Sequence, residues 1–225
     1  MPADFIPLAE ATGLILPLGL AMLNRAIADV VRLPDGPAGP LSVHINLSVY
    51  QLRSPGLVDV VGRAIATSRL DPARLMLEIT ESSLLGDSET TVLSDLKALG
   101  VRLAIDDFGT GFSALGYLRR LPVDMIKIDR AFVSALGQDR RDAEIVRFVI
   151  QLAKSLYLEV VAEGVEEESQ LNRLVALGCE SGQGFLFSKA VPLPGIRRLL
   201  DQAAAATEIS VPRQPRATLV PVAAA

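Results

Sequence analysis

Short runs of alternating apolar and polar residues recur along this chain. Between them lie longer stretches in which apolar residues return every three or four positions. The two-residue period marks 42–47 (SVHINL), 74–79 (RLMLEI), 101–106 (VRLAID), 124–129 (DMIKID), 159–163 (EVVAE) and 182–187 (GQGFLF) as strands. The helical period covers 5–32, with a break near Gly13, then 55–69, 87–99, 113–120, 140–157, 166–177 and 194–205. Pro34-Asp35-Gly36-Pro37 is a turn-rich linker ahead of this rhythm. Strands alternating with helices predict βαβ units, a parallel sheet and right-handed crossovers.

The strand faces are informative because successive side chains point to opposite sides. Val43, Ile45 and Leu47 share one face, and His44 and Asn46 the other. Leu75, Leu77 and Ile79 oppose Met76, Glu78 and Thr80; Leu103 and Ile105 oppose Ala104 and Asp106; Ile126 and Ile128 oppose Lys127 and Asp129. Glu163 closes the fifth run, and Gln183 is the polar residue of the sixth. The apolar face is what covering helices require. The other face repeatedly sets a polar residue near the carboxyl end of a strand. A (β/α) barrel gathers those ends at one mouth, whereas an open doubly wound sheet gathers them only at one switch point. Polar tips on all six strands favour the barrel. A single strand-end carboxylate is an ordinary solvated cap; six aligned tips are not.

Composition narrows the chemistry. Lys and Arg number 22 against 26 Asp and Glu, a net charge of −4, so no basic surplus points to a nucleic-acid polymer. One cysteine, Cys179, excludes an internal disulfide, and one histidine, His44, excludes a His-cluster zinc site. His44 faces the mouth side of its strand, but a single histidine reads as a satisfied interior residue and not a ligand. The apolar stretch from Gly13 to Leu23 is too short to span a bilayer, contains Pro17 and lacks a basic leader. A membrane segment is therefore not expected, and the single thiol fits a cytoplasmic location. Pro212, Pro215, Pro221 and an Ala-rich end make 207–225 an expected disordered tail after a domain over 1–206.

Glu78, Asp106, Asp107, Asp129 and Glu163 cannot all stay ionised at one mouth without a cation. Asn plus carboxylates form a hard oxygen set suited to Mg²⁺, Mn²⁺ or Ca²⁺. Adjacent Asp106 and Asp107 could serve two ions, and ions ~3.5–4 Å apart suit in-line phosphodiester hydrolysis. Lys127 could steady the attacking hydroxide or the developing phosphate charge; its plainer reading is a salt bridge to Asp129 or Asp106. Gly109-Thr110-Gly111-Phe112-Ser113-Ala114 matches a dinucleotide-binding pattern. The two carboxylates just before it would repel a pyrophosphate, so a glycine loop beside a metal pair is preferred.

The segment DDFGTGFSALGYLRRLPVDMIKIDRAFV (106–133) closely resembles the signature of EAL domains. So do INLSVYQL (45–52), LEITES (77–82), VVAEGVE (160–166), GCESGQGFLFSK (178–189) and FIPLAEATGLI (5–15). The resemblance implies a TIM-like barrel that hydrolyses cyclic di-GMP to linear pGpG with Mg²⁺ or Mn²⁺. On that likeness Asn46, Glu78 and Asp106 hold a first metal ion. Asp106 bridges to a second ion held with Asp107 and Glu163. Lys127 contacts the catalytic water, and Gln183 is the late glutamine of the site. Glu166 and the loop 107–114 couple metal binding to loop order and dimerisation, as a homodimer or with another EAL-type domain. Gln183, Asp129, Glu166 and Ser113 complete the expected ligand-binding set.

The Glu-Ala-Leu strand for which the family is named has its place before Asp4 and no counterpart in these residues. Its Glu would be a metal ligand, and an Arg beside it would bind the nucleotide. The expectation is an incomplete barrel with about six of eight strands. The body, 1–206, is also shorter than the ~250 residues typical of such barrels. Hydrolysis is expected to be impaired, and a catalytically inactive cyclic di-GMP-binding or regulatory module is the alternative. Tyr50 stands where Arg is common, and Phe112 and Ala114 replace Tyr and Ser in the glycine loop.

Overall fold

A computed structural model describes residues 2–83, 87–109, 118–136 and 140–208. Two helices come first, α1 (Pro2–Thr12) and α2 (Ile15–Val31). Gly13 sits between them at φ +75°, and the axes bend by 118° there. That left-handed conformation costs glycine little, so the expected break falls where the sequence places it. No single helix among the described residues is long and apolar enough to cross a membrane. In α2 the residues Leu23, Ala26, Ile27 and Val30 are buried.

Six strands follow: β1 (Val43–Asn46), β2 (Leu75–Thr80), β3 (Arg102–Phe108), β4 (Met125–Ile128), β5 (Glu159–Ala162) and β6 (Ser181–Gly182). They pair in sequence order, every neighbour parallel, and curl into a half-barrel. The connecting helices are α3 (Val49–Leu52), α4 (Leu57–Ser68), α5 (Asp87–Ala98), α6 (Arg130–Ser134), α7 (Arg140–Ser155), α8 (Glu168–Leu177) and α9 (Leu193–Glu208). The short helices α3 and α6 escape the periodicity reading because side-chain caps set them. Ser48 and Gln51 form a capping box at the start of α3, and the Asp129 carboxylate accepts the Ala131 N–H at the start of α6. The helix expected at 113–120 falls mostly outside the described residues. So does the tail beyond Glu208, where the last helix ends.

The outward face of the sheet packs under the helices. Leu75, Leu77, Leu103, Ile105, Ile126 and Ile128 join Ile27, Leu52, Leu93 and Leu96 in one buried core. The inner face is built in tiers. Met76, Ala104, Met125 and Val161 form a separate small buried cluster. Two residues further along the same strands stand Glu78, Asp106, Lys127 and Glu163. The two-residue period thus lifts a charged tier off an apolar floor.

The sixth strand differs from expectation. It ends at Gly182, not Phe187. The chain then folds over Val165: the Leu186 N–H donates to Val165 O at 3.0 Å, and the Phe187 N–H to Gly184 O at 3.1 Å. A Cβ on Gly184 would lie 2.2 Å from Val165 O, so the crossing needs glycine. Phe185 and Phe187 mimic strand alternation, but they belong to this turn.

Candidate functional site

Lys127 is the centre of the charged tier and is 3% exposed. Its Nζ lies 2.6 Å from Glu78 Oε2, 3.0 Å from Asp106 Oδ1 and 2.5 Å from Glu163 Oε1. Three ammonium protons thus meet carboxylates from three strand ends. Gln183 Nε2 donates to Glu163 Oε1 at 2.7 Å, adding the tip of β6. On the other side His44 Nδ1 lies 2.7 Å from Glu78 Oε1, adding β1. Asn46 is placed beside Glu78 by the β1–β2 register and is exposed.

Asp107 reaches this tier by an irregularity. On a regular strand it would face away from Asp106. The β3–β4 register shifts between Ile105 and Phe108, and Asp107 takes φ +53°. Such a bulge re-aims a side chain, and aspartate tolerates the left-handed region better than most residues. As a result, ligand oxygens of Asp106, Asp107 and Glu163 all lie within 4.8 Å of one another. Asp129, besides capping α6, hydrogen-bonds to Asp107.

The electrostatics follow from crowding. Burial would lower the Lys127 ammonium, but Glu78, Glu163 and Asp106 outweigh it and hold the group above its usual range. Burial would raise Glu78, yet the His44 hydrogen bond and the Lys127 charge keep it below the usual carboxylate range. Glu163 is pushed up to about 7, by burial first and by Asp106 in addition, despite Lys127. Asp107 is pushed up to about 6 by burial, the Asp106 charge and Asp129. One lysine does not neutralise Glu78, Asp106, Asp107 and Glu163 together. Three clustered carboxylate oxygens with unbalanced charge form a hard-donor set that fits a divalent cation.

Glu166 stands at the rim, paired with Arg130 Nη2 at 3.0 Å. A cavity of about 250 Å³ opens beside the acids, bounded by Glu163, Gln183, Arg130, Phe185 and, on α9, Ile196 and Leu200. Ser113 and most of the loop 107–114 lie outside the described residues. Two contributors went unassigned from sequence. Glu81 Oε2 accepts the Gly109 N–H at 2.9 Å and so fixes the start of the glycine loop. Its only signal is a second acid three residues after Glu78. The other is His44, whose inward alternation was visible but whose partner was not.

The EAL domain family model matches residues 1–190. The bifunctional diguanylate cyclase/cyclic di-GMP phosphodiesterase MucR of Pseudomonas aeruginosa is 44% identical over 193 residues, which cover 85% of this chain and 28% of MucR. The cyclic di-GMP phosphodiesterase NbdA of the same organism is 43% identical over 201 residues, 88% of this chain and 26% of NbdA. The chain thus spans about a quarter of the length of these two relatives. Among solved structures, the PaMucR phosphodiesterase in complex with c-di-GMP superposes with a TM-score of 0.83 at 43% identity, covering 87% of this chain and 80% of that one. Klebsiella pneumoniae BlrP1 with manganese and cy-diGMP gives 0.70 at 32% identity, covering 77% and 44%.

Proposed function

Because this chain belongs to the EAL domain family, we propose that its charged tier hydrolyses cyclic di-GMP to linear pGpG with two divalent cations, Mg²⁺ or Mn²⁺. The observation that carries this reading is the joining of Glu78, Asp106 and Glu163 through one buried ammonium, with Asp107 turned inward by the bulge. Asn46, Glu78 and Asp106 are assigned to one cation, and Asp106, Asp107 and Glu163 to the other. The cations supply Lewis acidity and a water of lowered pKa.

The chain's own residues do the rest. Lys127 holds three carboxylates at fixed spacing and places a positive charge where phosphate charge develops. Gln183 fixes one oxygen of Glu163. Asp129 holds Asp107 by a side-chain hydrogen bond. Glu166 with Arg130, and Ser113 in the glycine loop, are assigned to the nucleotide. The water oxygen joins phosphorus as one P–O ester bond breaks, and the sugar oxygen leaves with the proton that the water gives up, which opens the ring. The cavity beside Glu163 and Gln183 would accept part of the dinucleotide.

No Glu-Ala-Leu tripeptide occurs in the 225 residues. On this reading the chain by itself turns over more slowly than a domain carrying that ligand. A cytoplasmic location and pairing with a second EAL-type domain belong to the same proposal. Chromatography of cyclic di-GMP incubated with the chain and Mn²⁺ tests it: pGpG is expected, lost with EDTA and in Glu163→Gln. Cyclic di-GMP binding without pGpG would replace it with a binding module.

A further inference from the structure

We propose that His44 is a positioning residue for the cation site, fixing Glu78 Oε1 so that Oε2 is the oxygen presented to the charged tier. The inference rests on the reading of that tier given above. His44 and Glu78 face each other from neighbouring strands, with side chains only 7% and 5% exposed. Nδ1 stands 2.7 Å from Oε1. The other ring nitrogen, Nε2, lies 3.4 Å from Ser42 Oγ. A carboxylate oxygen needs a donor, so the network assigns the proton to Nδ1 and leaves Nε2 to accept from the Ser42 hydroxyl. No charge on the imidazole is required.

The reason Glu78 needs this anchor is local. The terminal torsion of glutamate is broad. With Oε1 bound, rotation is stopped and Oε2 points at Lys127. With Oε1 unbound and buried, the carboxylate gains by turning both oxygens toward its other side-chain donor among the described residues. That donor is Lys127, which also serves Asp106 and Glu163. A change at β1 would thus propagate through Glu78 to acids on β3 and β5. Hydrogen bonds of this outer kind orient metal-ligating groups, and losing one weakens metal affinity about 10–100-fold.

The test is Mn²⁺ titration calorimetry on the full chain, with thermal unfolding in EDTA as the check on folding. His44→Leu should lower Mn²⁺ affinity about 10–100-fold while unfolding cooperatively. His44→Asn, whose amide N–H can occupy the Nδ1 position, should stay near wild type. In a Glu78→Gln background His44→Leu should add no further loss, because the two act through one contact. A folded His44→Leu that binds Mn²⁺ as tightly as wild type overturns the assignment and leaves the cation site standing. A wild-type chain that binds no Mn²⁺ overturns both. If His44→Leu fails to fold, His44→Ala is compared with His44→Asn. Weaker binding by the alanine variant supports the role, and equal binding overturns it.

Discussion

Lys127 is the one ammonium that Glu78, Asp106 and Glu163 share, so its loss should show in stability as well as in chemistry. Lys127→Met leaves Glu78, Asp106 and Glu163 buried without their shared donor. Removing one member of a buried ionic network costs about 3–5 kcal/mol, and loss of one preorganised donor lowers kcat about 10²–10³-fold. Urea unfolding in EDTA should give the first figure and pGpG formation the second; Mn²⁺ should restore part of the stability. Asp107 predicts the opposite sign. Its charge is resisted by burial and by Asp106. Asp107→Asn keeps a side chain that tolerates φ > 0 and removes the repulsion. Metal-free stability at pH 7.5 should rise by about 1 kcal/mol once solvent screening is allowed for, while Mn²⁺ affinity and hydrolysis fall. Urea titration with and without Mn²⁺ separates the two effects.

At the scale of strands and turns, the placement of the charged tier was readable from alternation alone. Glu78 follows Met76 by two positions, Asp106 follows Ala104, Lys127 follows Met125 and Glu163 follows Val161. What alternation could not show is the bulge. Asp106 and Asp107 on a regular strand face opposite ways, and nothing in the apolar pattern of β3 signals the extra residue. His44 escaped for a different reason: its partner is 34 positions away. The overlong sixth strand arose because Phe185 and Phe187 alternate as a strand would. Gly184 is the residue that gives the turn away. Gly184→Ala would drive a Cβ into Val165 O at 2.2 Å and against Val165 N at 2.3 Å. Overpacking against backbone costs about 1–3 kcal/mol. Because Gln183 is its neighbour, the variant should also release the Gln183–Glu163 contact. A lower urea midpoint together with a raised KM for cyclic di-GMP would register both.

For the molecule as a whole, the buried acids set the response to pH. In the metal-free protein Glu163 and Asp107 keep their protons to about 7 and about 6, against ordinary values of 4.5 and 3.8. Between those limits the folded chain binds more protons than the unfolded one, so stability falls as pH rises toward 7 and is level above. Glu78 acts in reverse. Held below its usual range, it contributes stability that disappears as pH drops through its folded value. Melting temperatures in EDTA should therefore rise as pH falls from about 7 to about 4.5, and turn down below that as Glu78 takes up its proton. With Mn²⁺ the order changes, because the ligands must be ionised. Affinity should climb up to about pH 7, and binding should release protons, seen as a heat that depends on the buffer.

Among the described residues, α9 and not a strand packs against the segment that leads into β1. Arg197 on α9 donates to Arg32 O at the close of α2 at 3.1 Å, and Leu200 packs near Gly36. These partners lie 165 positions apart. Bringing such distant parts of a chain together costs about 4–5 kcal/mol of closure entropy, and it is offset only once the segment between them has packed. The βα units can dock one after another from local contacts. The clasp between the first and last of them comes last in that sequence, and folds with such long-range pairing are slow to complete. Synthesis must therefore have passed from Arg32 through Arg197 before this clasp can close.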